Sequence, residues 1–96
     1  MYVLLCYNVF MNETVFYKYL CLLPNGANDV VYKSRRYLLR KERLLDGRLI
    51  KIYAVELGGN DIVSGNYYVT VKGGMLKPCE MCDAKVIDFV LSAVPI

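Results

Sequence analysis

Two cysteines three apart, Cys79 and Cys82 in KPCEMC, form the most chemically suggestive spacing in the chain. A Cys-x-x-Cys pair at the front of a helix can supply two of four zinc ligands. It can also act as a redox couple, because a helix N-terminus stabilises a thiolate. Zinc would need two further ligands, yet the chain has no histidine and no second Cys-x-x-Cys. Cys6 and Cys21 each stand alone in apolar segments, where cysteine is ordinarily a core residue. A thioredoxin-type pair follows an early strand of a βαβ unit. This pair comes late, after segments that read as meandering β. The favoured reading is a proline-initiated helix with two small, soft residues turned to the sheet, and no metal or cofactor is expected.

The second suggestive group is basic. Eight of the twelve Lys and Arg residues fall between 33 and 51: Lys33, Arg35, Arg36, Arg40, Lys41, Arg43, Arg48 and Lys51. Tyr37 sits among them, with Tyr32 and Tyr53 at the flanks. Cations track phosphates and aromatic rings stack on bases, so the segment is a candidate contact for nucleic acid. An acidic protein surface would use the same charges. Alternatively the charges only keep a face soluble or blunt a sheet edge. The field is local: the flanking segments are slightly acidic, and the formal net charge is only +3.

Catalytic groupings are not evident. Without histidine the commonest general base is absent. The carboxylates Glu13, Glu42, Asp46, Glu56, Asp61, Glu80, Asp83 and Asp88 are scattered. Gly58-Gly59 and Gly73-Gly74 lack the Lys-Ser/Thr that would make a phosphate loop. A non-enzymatic protein is expected.

The elements that position these groups must fit one domain, 1–96. The apolar fraction, 56%, is high enough to exclude a disordered chain. No apolar run is long enough to span a membrane, and no secretory leader is read. A cytoplasmic protein with no membrane partner is expected.

YVLLCYNVF (2–10) and TVFYKYLCLL (14–23) are nearly continuous apolar runs and read as two buried strands joined at Met11-Asn12-Glu13. Pro24-Asn25-Gly26 is a turn, and DVVYK (29–33) a third strand. Asp46-Gly47 signals a hairpin. Centred there, it sets Leu44 opposite Leu49, Glu42 opposite Lys51 and Leu38 opposite Val55. The rival is a helix from Ser34 to Leu45, ended by Gly47. RLIKIYAVEL (48–57) is strand in either case. After a turn at Gly58–Asp61, NYYVTV (66–71) is a strand that Gly73-Gly74 breaks. CEMCDAKVIDFVLSAV (79–94) is the clearest helix, with Val86, Phe89, Val90 and Ala93 as its stripe. The fold class is α+β: a small, mostly antiparallel sheet of about five strands with one C-terminal helix packed on a face.

YYVTV followed by KPCEMCDAKVIDFV resembles the zinc-dependent nucleobase deaminases, which pair a strand with a Pro-Cys-x-x-Cys helix start. The resemblance would make Cys79 and Cys82 metal ligands and Glu56, in Ala54-Val55-Glu56, the acid/base residue. Ala54 then falls at the third ligand position and cannot bind metal, which puts zinc-hydroxide chemistry in doubt. The reading that best fits all the residues is a small binding protein using its basic segment. Its apolar content favours self-association, as a homodimer. Such a protein suits an accessory or inhibitor role of the kind a virus or mobile element encodes. The alternative is a zinc- or thiol-dependent protein built on Cys79 and Cys82.

Overall fold

The computed structural model of the chain describes residues 13–70, 73–78 and 81–96. Among them are six strands and two helices. In chain order they are α1 (Glu13–Leu22), β1 (Gly26–Tyr32), β2 (Arg35–Leu44), β3 (Leu49–Glu56), β4 (Ile62–Thr70), β5 (Gly73–Pro78), α2 (Asp83–Ser92) and β6 (Val94–Pro95). The strands form one antiparallel sheet ordered β5-β4-β3-β2-β1-β6. The α+β architecture expected from the sequence is therefore present, with one more helix and one more strand.

Alternation along the strands decides which face is buried. Val30 and Tyr32, Tyr37 and Leu39, Ile50, Ile52 and Ala54, and Val63 and Tyr67 all point one way and are buried. Phe16 and Leu20 of α1, with Leu23 just beyond it, cover this face together with Val86, Ile87, Phe89 and Val90 of α2. Tyr32, Tyr37 and Phe89 meet edge to face with ring centroids 5.0–5.7 Å apart, the geometry aromatic quadrupoles favour. Gly65 is buried between β5 and α2, where a Cβ would sit 3.4 Å from the Pro78 Cα and 3.6 Å from Val86, ordinary packing distances. At Gly74 a Cβ would overlap the Tyr67 hydroxyl, so the edge strand needs glycine to seat that ring.

The hairpin over Asp46-Gly47 is the alternative that forms, and its register is the expected one: Leu44 pairs Leu49, Glu42 pairs Lys51 and Leu38 pairs Val55. The connection uses four residues rather than two, with Leu45, Asp46 and Gly47 all at positive φ.

Three expectations are corrected. Residues 14–23 were expected to be a strand, but they lie in α1 and its exit. Phe16, Leu20 and Leu23 recur at four and three residues and are buried, while Val15, Tyr19 and Leu22 face solvent. A continuous apolar run conceals that helical period. The turn expected at Met11-Asn12-Glu13 therefore fails at Glu13, which opens α1; the strand expected over 2–10 lies outside the described residues. The strand that Gly73-Gly74 was expected to break does end before them, at Thr70, but the two glycines also open β5, pairing with Thr70 and Val69. Finally, Pro78 does not start the last helix. It ends β5, an edge strand that tolerates its missing N–H, and α2 begins at Asp83 with Cys82 as N-cap.

Candidate binding face

The eight basic residues of 33–51 are divided by strand parity and by position. Lys41 is on the covered face and is 1% exposed. Its ammonium donates to the backbone oxygens of Leu20 and Leu23 at 2.6 Å each, and of Cys21 at 3.4 Å. These are carbonyls at the C-terminal end of α1, which need donors and carry the negative end of the helix dipole. Burial holds the Lys41 ammonium below the usual lysine range. Tyr37 is buried on the same face, against Tyr32 and Phe89. Both residues belong to the scaffold.

Lys33 and Arg35 stand at one end of the sheet. Lys33 lies 3.7 Å from Asp88 and over the ring of Tyr32, and Arg35 pairs with Glu56 at 3.2 Å. Arg43 and Arg48 stand at the other end, against the Tyr17 hydroxyl and the Leu45 carbonyl. Only Arg36, Arg40 and Lys51 lie on the sheet face opposite the helices.

None of the described elements covers that face. The strand register arranges it in rows across β2, β3 and β4. Leu38, Val55 and Ile62 form an apolar row. Arg40, Tyr53 and Ser64 form the next, and Glu42, Lys51, Asn66 and Lys77 the third, which reaches β5. Leu44, Leu49, Tyr68 and Met75 close the series. Two polar rows thus lie between two apolar ones. Tyr53 is 47% exposed and Tyr68 36%. Arg36, on the same face, is bound to Asp29 at 2.8 Å. Among the described residues neither Arg40 nor Lys77 has an ion-pair partner. A shallow cavity of about 290 Å³ lies between the polar rows, bounded by Arg40, Glu42, Lys51, Tyr53, Ser64 and Asn66.

Sequence reasoning named Arg40 and Lys51 but missed Ser64, Asn66, Tyr68 and Lys77. Asp46-Gly47 gives the register between β2 and β3, but the strand expected over 66–71 omits Ile62 to Gly65, and no strand is expected over 73–78. The alternation of Ser64, Asn66 and Tyr68 was the available signal. The edge-blunting reading of the basic segment does not apply to β2, which lies inside the sheet between β1 and β3.

A second cavity, about 450 Å³, opens at the Lys33–Arg35 end, beneath the first turns of α2. Tyr32 donates to Asp88, and Tyr37 donates to Asp61 at 2.6 Å. Lys85 also bonds Asp61. Burial first, then the adjoining carboxylate, pushes both tyrosines well above the usual phenol range. Burial would push Asp61 up, but hydrogen bonds from Lys85 and Tyr37 outweigh it and hold the carboxyl below its usual value. Cations and carboxylates here neutralise one another, and the network clamps α2 to β1, β2 and the β3–β4 loop.

Cys82 lines this cavity, half-buried. Cys79 lies outside the described residues, as does Cys6. Glu56, which the deaminase resemblance makes the acid/base residue, accepts from Arg35 and from the Asp61 N–H at 3.2 Å. Among the described residues no helix is long and apolar enough to cross a membrane. No family model, curated protein or solved structure matches the chain.

Proposed function

We propose that the protein is a non-enzymatic binding protein whose open sheet face holds a nucleic acid. The observation that carries this reading is the alignment of Arg40, Tyr53 and Ser64 with Lys51, Asn66 and Lys77 in adjacent cross-strand rows on that face. Cations there meet phosphates, and an exposed ring meets bases. Among the described residues Arg36, Arg40, Lys51 and Lys77 outnumber the carboxylates on the face, Asp29 and Glu42, so the local charge complements a polyanion.

Changing Arg40, Lys51 and Lys77 together to Glu tests it. Fluorescence anisotropy with a labelled oligonucleotide is expected to show binding by the wild type and none by this variant, with thermal unfolding unchanged. The paired change of Arg43 and Arg48 to Glu, at the far end of the sheet, is expected to leave binding intact. Binding to polyglutamate and not to oligonucleotide would reassign the face to an acidic protein surface.

The apolar rows favour one accompanying property. Leu38, Leu44, Ile62 and Met75 are each exposed on this face, and two copies meeting there would cover them as a homodimer. Sedimentation is then expected to show a dimer that oligonucleotide converts to monomer.

A further inference from the structure

We infer that the nucleic acid is taken as a single strand, with one unstacked base lying on Tyr53 in the shallow cavity of the open face. This rests on the reading of that face as a nucleic-acid site. Among the described residues the face projects no helix or two-stranded ribbon into a duplex major groove. Reading duplex DNA requires an element that enters a groove, such as a helix or a two-stranded ribbon. The open face is instead one side of a broad sheet, with its helices behind it. Bases that are not stacked on each other can lie flat on such a surface, and aromatic side chains are the platform they use.

The cavity supplies what one base needs. Tyr53 offers a half-exposed ring. Ser64, directly opposite it, and Asn66, opposite Lys51, bring a hydroxyl and an amide to the same depression. Among the described residues neither side chain forms a hydrogen bond, so both can meet the edge of a base. Arg40 pairs with Tyr53 across the strands and stands where the sugar–phosphate chain would leave the ring.

A second platform lies within reach of the first. Tyr68 is four residues along β4 from Ser64, on the same face. At strand geometry the backbone positions of the two tyrosines are about 14 Å apart, counting four residues along and one strand across. The row between them is Glu42, Lys51, Asn66 and Lys77. A short extended strand can therefore stack at both ends with its connecting phosphates over Lys51 and Lys77. A duplex cannot offer bases at such a spacing without unpairing.

The experiment compares labelled RNA and DNA single strands with duplexes of the same sequence, at one ionic strength, for the wild type, Tyr53→Ala, Tyr53→Phe and the Arg40→Glu, Lys51→Glu pair. The wild type is expected to bind a single strand at least about tenfold more tightly than a duplex. Tyr53→Ala is expected to weaken single-strand binding about fivefold or more, the low end of one stacked base. Tyr53→Phe keeps the ring and is expected to retain binding. Equal affinity for both forms, or an unaltered Tyr53→Ala, overturns the single-strand inference. If the charge-reversed pair still abolishes binding in that case, the wider nucleic-acid reading survives. A wild type that binds none of these probes overturns both.

Discussion

Lys41 shows how one side chain in a basic run can be taken from the surface into the scaffold. Where the exit of α1 meets β2, an ammonium stands between them, donating to three carbonyls. Lys41→Met keeps the length and the apolar stem but leaves those carbonyls without a donor in a dry interior. Urea unfolding is expected to show a loss of about 1–3 kcal/mol, the usual cost of such unsatisfied groups. The turn between β1 and β2 makes a second residue-scale case. Lys33 and Ser34 both sit in the left-handed region, with φ of 51° and 65°. A two-residue hairpin loop of this kind favours Asn-Gly or Gly, because a Cβ is strained there. Ser34→Gly is expected to raise stability by about 1 kcal/mol, seen as a higher urea midpoint with an unchanged slope.

At the scale of elements, α2 is held from two sides. Its apolar stripe packs on the sheet, and Lys85 and Asp88 engage the polar cluster beside it. The cluster makes stability depend on pH in two separate ranges. Tyr32 and Tyr37 hold their protons above the ordinary phenol value of 10.0 in the folded chain. Above that pH the unfolded chain releases protons the folded one keeps, so their contribution is complete below pH 10.0 and declines as pH rises. Asp61 behaves oppositely. Its folded value lies under 3.8, so its contribution is present above pH 3.8 and is lost as acid brings the pH down through the folded value. Urea midpoints measured across pH are expected to fall at both extremes. Tyr32→Phe with Tyr37→Phe flattens the alkaline fall, and Asp61→Asn flattens the acid one. None of this network was legible in the sequence, because its members come from β1, β2, the β3–β4 loop and α2. The elements themselves were legible where local chemistry was decisive: Asp46-Gly47 fixed the register of β2 on β3, and Val86, Phe89 and Val90 marked the buried side of α2. They were not legible where local signals were absent or ambiguous. Lys33-Ser34 carries no hairpin signature. Residues 14–23 are apolar enough to suit either a strand or a helix. Gly73-Gly74, a breaker by propensity, starts an edge strand in which Gly74 leaves room for Tyr67. The binding face inherited this pattern: Arg40 and Lys51 were found, and the β4 and β5 residues beside them were not.

At the scale of the whole molecule the question is how strong a field the protein presents. A net charge of +3 on 96 residues is modest, and the chain keeps much of its basic character engaged internally. Lys33, Arg35, Arg36 and Lys85 each face a carboxylate, and Lys41 is enclosed. Cations near a phosphate chain displace counterions only if they are not already neutralised, and each one that does so steepens the dependence on salt. On the open face Arg40, Lys51 and Lys77 are the residues positioned to act in this way, with Arg36 joining if Asp29 releases it. The logarithm of affinity for a single strand is therefore expected to fall against the logarithm of salt concentration with a slope of about −2 to −3, at about −0.7 per phosphate contact. The seven exposed cations of the basic segment acting together would give about −5. A measured slope near that steeper value would mean that the ion pairs at the sheet ends open on binding and that the segment acts as one patch. A shallow slope, lost stepwise as Arg40, Lys51 and Lys77 are each replaced by Gln, would place affinity on the rows between the two tyrosines. In that case stacking, more than the overall field, holds the strand.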